Sequence, residues 1–272
     1  MIEPSFNPEK LQRLRAWMQN ARRVLVAYSG GVDSSLVLRV ATEELEHEAL
    51  GIMAVSPSLP EGERQQAVEL AQVMGARLKL LPTSETDDPK YQVNAPNRCF
   101  HCKDHVYGAL RQYADQRGYD IIADGMNVDD TLDVRPGRAA ARLHSIVSPL
   151  HELGFNKEDI RAAARHLDLP NWNKPAAACL ASRIPYGTSV TVERLGQVER
   201  AEAALFDLGF RDLRVRYHGD VARIEVPEEE FDAVLKQRQA LVESLKNAGF
   251  VYVSLDLQGL RNGSMNEVLG AR

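Results

Sequence analysis

Two glycines flanked by hydroxyls and one acid stand together at Ser29-Gly30-Gly31-Val32-Asp33-Ser34-Ser35, directly after the apolar run Val24–Tyr28. Paired glycines let a backbone turn tightly and approach an anion closely. A helix that follows at once would aim its first amides and the positive end of its dipole at phosphate oxygens. Ser29, Ser34 and Ser35 would add hydroxyl donors. No Gly-Lys-Ser/Thr follows the glycines, so this is not a Walker A loop. Asp33 suits a phosphate site if it holds Mg2+ or caps the helix. The plainer reading is a tight strand-to-helix turn with no ligand.

Cys99 and Cys102 lie one helical turn apart, and Cys179 stands far along the chain in the segment CLASRIPYGT. Four readings remain open for them. A structural zinc site would use Cys99 and Cys102 with two of His101, His105 and Cys179. A redox pair would use Cys99 and Cys102 alone. A three-thiolate iron–sulfur centre would use all three and leave one iron open. The last reading is three unrelated buried thiols. Arg214 and Arg216 are two apart between Leu213, Val215 and Tyr217, so on a strand both guanidiniums share one face and could clamp an anion. A solvated outer face is the alternative, and either way their replacement should cost little stability.

The elements that must position these groups alternate. Strands are expected at Val24 to Tyr28, Leu50 to Val55, Leu78 to Leu81 and Ile121 to Ala123, with helices from Asn7-Pro8, over Asp33 to Leu45, Glu63 to Met74 and Lys103 to Arg117. That pattern predicts an α/β fold with a doubly wound, mostly parallel sheet. Asn156 and Asp159 mark a capped helix start, and Leu169-Pro170 ends that helix. Residues 171–188 are irregular and read as a linker carrying function. Beyond them come a helix from Thr191 to Leu208, strands at Leu213 to Tyr217 and Val221 to Val226 around the turn His218-Gly219-Asp220, a helix from Glu228 to Lys246, and a last strand at Val251 to Leu255. Residues 1–170 are thus expected to form one domain, 171–188 the linker with Cys179, and 189–272 a smaller α+β domain.

Composition narrows the classes. The chain has 272 residues, 44% apolar and 26% charged, ordinary values for a globular protein that needs no disulfide staples. A net charge of −5 argues against a nucleic-acid-binding surface but permits a local basic pocket. The first ten residues lack a signal-peptide layout, and no apolar run reaches the ~20 residues of a membrane helix. A cytoplasmic location is expected, where an odd count of three cysteines favours thiols or metal ligands.

SGGVDSS after a strand resembles the PP-loop signature of GMP synthetases, NAD synthetases, argininosuccinate synthetase and the tRNA thiolases. That resemblance implies binding of Mg-ATP by its pyrophosphate and transfer of AMP to a substrate oxygen. Ala27, Ser29, Gly30, Gly31, Asp33, Ser34 and Ser35 would form the loop site. Met53 to Val55 would line the adenine pocket, and Gly125 to Asp130 would close it, with Asp129 on the Mg2+ side as an acid at a strand's carboxyl end. Lys103 could contact ATP phosphate; a surface lysine is the alternative.

CLASRIPYGT, following a PP-loop domain, resembles the LarE family, the ATP-dependent sulfur transferases that build the nickel-pincer nucleotide cofactor. The resemblance spans essentially the whole chain. It implies that a carboxylate of pyridinium-3,5-biscarboxylic acid mononucleotide is adenylated, and that sulfur displaces AMP to leave a thiocarboxylate. Adenylation makes chemical sense because a bare carboxylate would have to expel oxide. In one branch the cysteine matching Cys179 gives up its own sulfur and becomes dehydroalanine. This chain also carries Cys99 and Cys102, as does the branch with a [4Fe–4S] cluster on three cysteines and an extra sulfide on the fourth iron. Ser182 and Arg183 would grip the substrate phosphate, Arg214 and Arg216 would act beside them, and Glu202 would steer Arg214 or handle a proton. The expected partners are the small-molecule nucleotide substrate, other copies of the chain in a homo-oligomer, and other enzymes of nickel-pincer assembly, with no nucleic acid and no membrane. The rivals are a tRNA thiolase with an iron–sulfur cluster, an ammonia-using synthetase, and a nucleotide-binding module with structural zinc.

Overall fold

Val24, Leu25 and Val26 are fully buried, as a continuous apolar run requires of a strand covered on both faces. They belong to β1 (Val24–Ala27) in a computed structural model that describes residues 6–131, 137–261 and 263–270. The chain packs as two units. One holds the described residues of Met1–Ser56, Glu61–Glu85 and Cys99–Ala177, and the other those of Pro57–Pro60, Thr86–Arg98 and Ala178–Arg272.

In the first unit β1 is joined by β2 (Ala49–Val55), β3 (Leu78–Pro82), β4 (Ile121–Ala123) and β5 (Ile146–Val147). All pairings are parallel and the order is β3-β2-β1-β4-β5. The chain therefore builds outward from β1 to β3, then crosses back to β4 on the other side of β1. The strand order reverses between β1 and β4, and such a switch point is where open α/β sheets hold ligands. The helices are α1 (Pro8–Gln19), α2 (Val32–Leu45), α3 (Glu61–Val73), α4 (Arg98–Arg117), α5 (Gly137–Leu143) and α6 (Lys157–His166). Asn7 caps α1 by accepting from the amides of Glu9 and Lys10, and Asn156 with Asp159 forms the expected capping box of α6.

Two features depart from expectation here. α4 begins at Arg98 rather than Lys103, so Cys99 and Cys102 are helical. β5 and α5 were not foreseen, because a two-residue strand and a seven-residue helix carry too little periodicity to register.

The second unit contains α7 (Val192–Asp207), β6 (Arg214–His218), β7 (Val221–Glu225), α8 (Phe231–Lys236), α9 (Arg238–Asn247) and β8 (Tyr252–Leu255). β6 and β7 form the expected hairpin, with Gly219 at φ +64°, and β8 pairs parallel to β7. Leu205, Val215, Ala222, Ile224, Leu241 and Phe250 share its core. The single helix expected over Glu228 to Lys246 is two, α8 and α9, meeting at Gln237. Among the described residues no helix is long and apolar enough to cross a membrane.

Candidate functional site

Tyr28 continues β1 into the loop and donates from its hydroxyl to the Ala67 carbonyl at 2.9 Å; burial pushes its pKa up to about 12. Gly30 has φ +77°, and a Cβ there would lie 2.5 Å from the Ala67 Cβ, so conformation and space both demand glycine. Ser34 ties the loop together: its Oγ donates to the Gly31 carbonyl at 3.1 Å and accepts from the Ser29 amide at 3.2 Å. The Ser29 hydroxyl sits 3.1 Å from it. No side chain caps α2, so its N-terminal turn keeps the character of an anion site.

The β4 loop closes on this turn from the other side of the switch point. A Cβ on Gly125 would come within 2.6 Å of the Ser34 amide nitrogen, so glycine is what lets the two loops touch. Asn127 donates to Asp33 Oδ2 at 3.2 Å, and Lys157 Nζ bonds the same oxygen. Asp129 accepts from the Lys157 amide at 2.7 Å, which makes it a helix-start acceptor for α6 while leaving it exposed. Asn171 donates to the Gly30 carbonyl at 3.1 Å and to Ser35 Oγ at 3.0 Å. Below the loop, buried Asp124 accepts from Tyr107, Ser148 and the Met126 amide. Burial and then Asp124 hold the Tyr107 phenol well above its ordinary range.

The structure thus brings Ala27, Ser29, Gly30, Gly31, Asp33, Ser34, Ser35 and Gly125 into one place at the ends of β1 and β4. Met53 is buried in β2. Lys103 is exposed on α4 with its ammonium 5.6 Å from the Tyr107 ring centre. Asn127, Lys157 and Asn171 were missed by sequence reasoning. Asn127 lay inside the anticipated GMNVDD segment, and a count of hydrogen-bonding side chains there would have found it. Lys157 is the first residue of a capped helix and carried no signal of its own.

Cys99 and Cys102 share one side of the first turns of α4, with Cys99 exposed and Cys102 half-buried. Cys179 is exposed in the second unit, at the head of a short 3-10 turn, Leu180–Arg183. All three are free thiols. Among the described residues no three His, Cys, Asp or Glu side chains are gathered for a metal ion.

Cys179 has a fixed backbone beneath a free sulfur. Arg183 Nη1 donates to the carbonyls of Ala178 at 2.7 Å and Cys179 at 3.2 Å, and to Ser182 Oγ at 3.1 Å. Its Nε and Nη2 meet the two Glu202 oxygens at 2.9 and 3.0 Å, and both side chains are buried. Glu202 also accepts from the Val215 amide at 2.9 Å. The guanidinium expected to grip a substrate phosphate is therefore already engaged, and Glu202 pairs with Arg183 rather than Arg214.

Arg216 is 2% exposed and donates to Glu225 at 2.8 Å, Ser264 at 2.9 Å and the Ser182 carbonyl at 3.0 Å. The expectation that its loss would cost little stability does not hold for a buried, paired charge. Arg214 is half-buried, and burial, then Arg216 and Arg183, lower its pKa. Burial and the neighbouring Arg223 and Arg216 likewise lower His218.

A glycine loop at the switch point of a parallel sheet, without a Walker lysine, defines a nucleotide-binding domain of the PP-loop class. Residues 11–102 match the NAD synthase family. The chain is 38% identical to pyridinium-3,5-bisthiocarboxylic acid mononucleotide synthase of Lactiplantibacillus plantarum, over 96% of this chain and 95% of that protein. It is 44% identical to an uncharacterized protein of Synechocystis, over 96% of this chain and 98% of that one. A tRNA-specific 2-thiouridylase of Desulforamulus reducens is more distant, at 26% identity over 57% of this chain and 53% of that protein. The chain belongs to the LarE family of the PP-loop superfamily, and it is an ATP-dependent sulfurtransferase.

Proposed function

We propose that this enzyme adenylates a ring carboxylate of pyridinium-3,5-biscarboxylic acid mononucleotide and converts it to a thiocarboxylate for nickel-pincer nucleotide assembly. The observation that carries the reading is the exposed Cys179 sulfur above a backbone pinned by the buried Arg183–Glu202 pair. It joins the whole-length kinship with the bisthiocarboxylate synthase.

A carboxylate oxygen attacks the α-phosphorus of ATP, the bond to the β-phosphate bridge breaks, and pyrophosphate leaves. Sulfur then attacks the acyl carbon, and AMP departs with the electron pair of the C–O bond. The Ser29–Ser35 loop and the α2 N-terminus receive the phosphates. Asp33 and Asp129 are the acids available to Mg2+, and Lys157 is positioned to exchange Asp33 for phosphate charge. Arg214, half-buried near Arg216 and Arg183, would gain from an anion set beside it, which suits a substrate phosphate or carboxylate. Arg183 and Glu202 act as positioning residues.

Three free cysteines, two of them a helical turn apart, match in number the three thiolates of a [4Fe–4S] cluster with one open iron. Cys99, Cys102 and Cys179 would hold it, and such a cluster, when bound, supplies the sulfur nucleophile at its open iron. The reading extends to a cytoplasmic homo-oligomer working with other enzymes of the same assembly route. The experiment is turnover with Mg-ATP and the biscarboxylate after anaerobic reconstitution. AMP, pyrophosphate and a thiocarboxylate by mass are expected; ADP and phosphate as products would overturn the proposal.

A further inference from the structure

Asn94 is fully buried and left-handed, with φ +56°, a conformation asparagine tolerates better than most residues. Its amide nitrogen donates to three carbonyls of the segment after Cys179: Ile184 at 3.2 Å, Pro185 at 2.8 Å and Thr188 at 3.0 Å. Its own carbonyl accepts from the Gly187 amide at 3.1 Å. Its side-chain oxygen accepts from Arg98, a second buried residue, whose Nη1 also donates to the Ala181 carbonyl at 2.9 Å. The neighbouring Gln92 carbonyl accepts from Val190 at 2.9 Å, and the Ser58 carbonyl accepts from Leu180 at 2.9 Å. Segments 57–60 and 86–98 interrupt the first unit's sequence yet pack in the second. Within the second unit they cradle the backbone from Leu180 to Val190.

This cradle is placed for chemistry more than for bulk. It is polar and buried, and it holds the backbone that directly follows the exposed Cys179. Arg98 is also the residue that precedes Cys99 in the chain. We infer that Asn94 and Arg98 are positioning residues for sulfur transfer: they fix the segment that carries Cys179, so that its thiol meets the activated carboxylate in one geometry. This rests on the sulfur-transfer reading above. Neither side chain touches substrate, and both act through the backbone they hold.

Asn94→Gly tests this cleanly, because glycine keeps the left-handed backbone while deleting every side-chain bond. Arg98→Lys is the second variant, keeping charge while losing the Nη1 amine, which alone reaches both Asn94 Oδ1 and the Ala181 carbonyl. Two readouts are made on the full chain. The first is thiocarboxylate formed per pyrophosphate released. It should fall about 10- to 100-fold in both variants, as small misplacements of reacting groups do, while pyrophosphate release continues and the unstable acyl adenylate is lost to water. The second is the alkylation rate of each cysteine by iodoacetamide without nucleotide, read by peptide mass spectrometry. Cys179 should change severalfold relative to wild type, with Cys102 unchanged. A product-to-pyrophosphate ratio and a Cys179 alkylation rate both within twofold of wild type in the folded variants would overturn the inference. If Asn94→Gly does not fold, Arg98→Lys decides by the same limits. Should the wild-type protein form no thiocarboxylate, the functional reading falls, and the alkylation rates still decide whether Asn94 and Arg98 position Cys179.

Discussion

Glu202→Leu is the substitution whose cost the structure specifies best. Both carboxylate oxygens meet Arg183, at 2.9 and 3.0 Å, and the side chains are only 9% and 7% exposed. Deleting one partner strands a buried charge, which costs about 3–5 kcal/mol. The Val215 amide loses its acceptor as well, a loss of about 1–3 kcal/mol that overlaps the first as the site relaxes. The second unit should therefore lose about 3–5 kcal/mol of stability. The double variant Arg183→Met/Glu202→Leu removes both charges and should recover roughly 2 kcal/mol or more, because an apolar pair of similar volume replaces a buried ion pair at little cost. Sulfur transfer should remain impaired in the double variant, since Ala178 and Cys179 have lost their donor. Tryptophan fluorescence is the wrong probe, as Trp17 and Trp172 both lie in the first unit. Hydrogen exchange along β7, which pairs with both β6 and β8, reports the right opening. A single variant within about 0.5 kcal/mol of wild type, or a double variant no better than the single, would refute the reasoning.

The remaining predictions concern the first unit. Gly125→Ala sets a Cβ against the Ser34 amide, so ATP affinity measured by calorimetry should drop at least about tenfold with the sheet intact, a cost of ~1.4 kcal/mol. Lys157→Met should lower pyrophosphate release about 10- to 1000-fold if that ammonium reaches the phosphates, on the scale of lost charge stabilisation; an unchanged rate would leave it as an Asp33 clasp alone. Tyr28 is buried with its folded pKa raised from 10.0 to about 12. Its contribution to stability is complete below pH 10 and is lost as pH rises toward 12, so Tyr28→Phe should flatten the fall in stability across that window.

Much of this was readable from the residues. The apolar run before Ser29, the glycine pair and the capping pair Asn156–Asp159 state local physics that the tertiary structure keeps. Arg216 was misjudged because strand alternation shows which residues share a face but not whether that face is covered. Ser264 and Glu225, which cover and pair it, lie 48 and 9 residues away in sequence. Asn94 and Arg98 were silent for the same reason: their partners at 181–188 are brought to them by the fold, and polar residues before a helix read as an ordinary loop. The cradle becomes visible only once segments 57–60 and 86–98 are seen to pack with the second unit.

The central claim, adenylation of a carboxylate followed by its displacement by sulfur, is tested most directly by an isotope. With the substrate carboxylates labelled with oxygen-18, one labelled oxygen should pass to AMP for each sulfur gained, leaving a thiocarboxylate that keeps the other. AMP free of label, with sulfur nonetheless incorporated, would contradict the account.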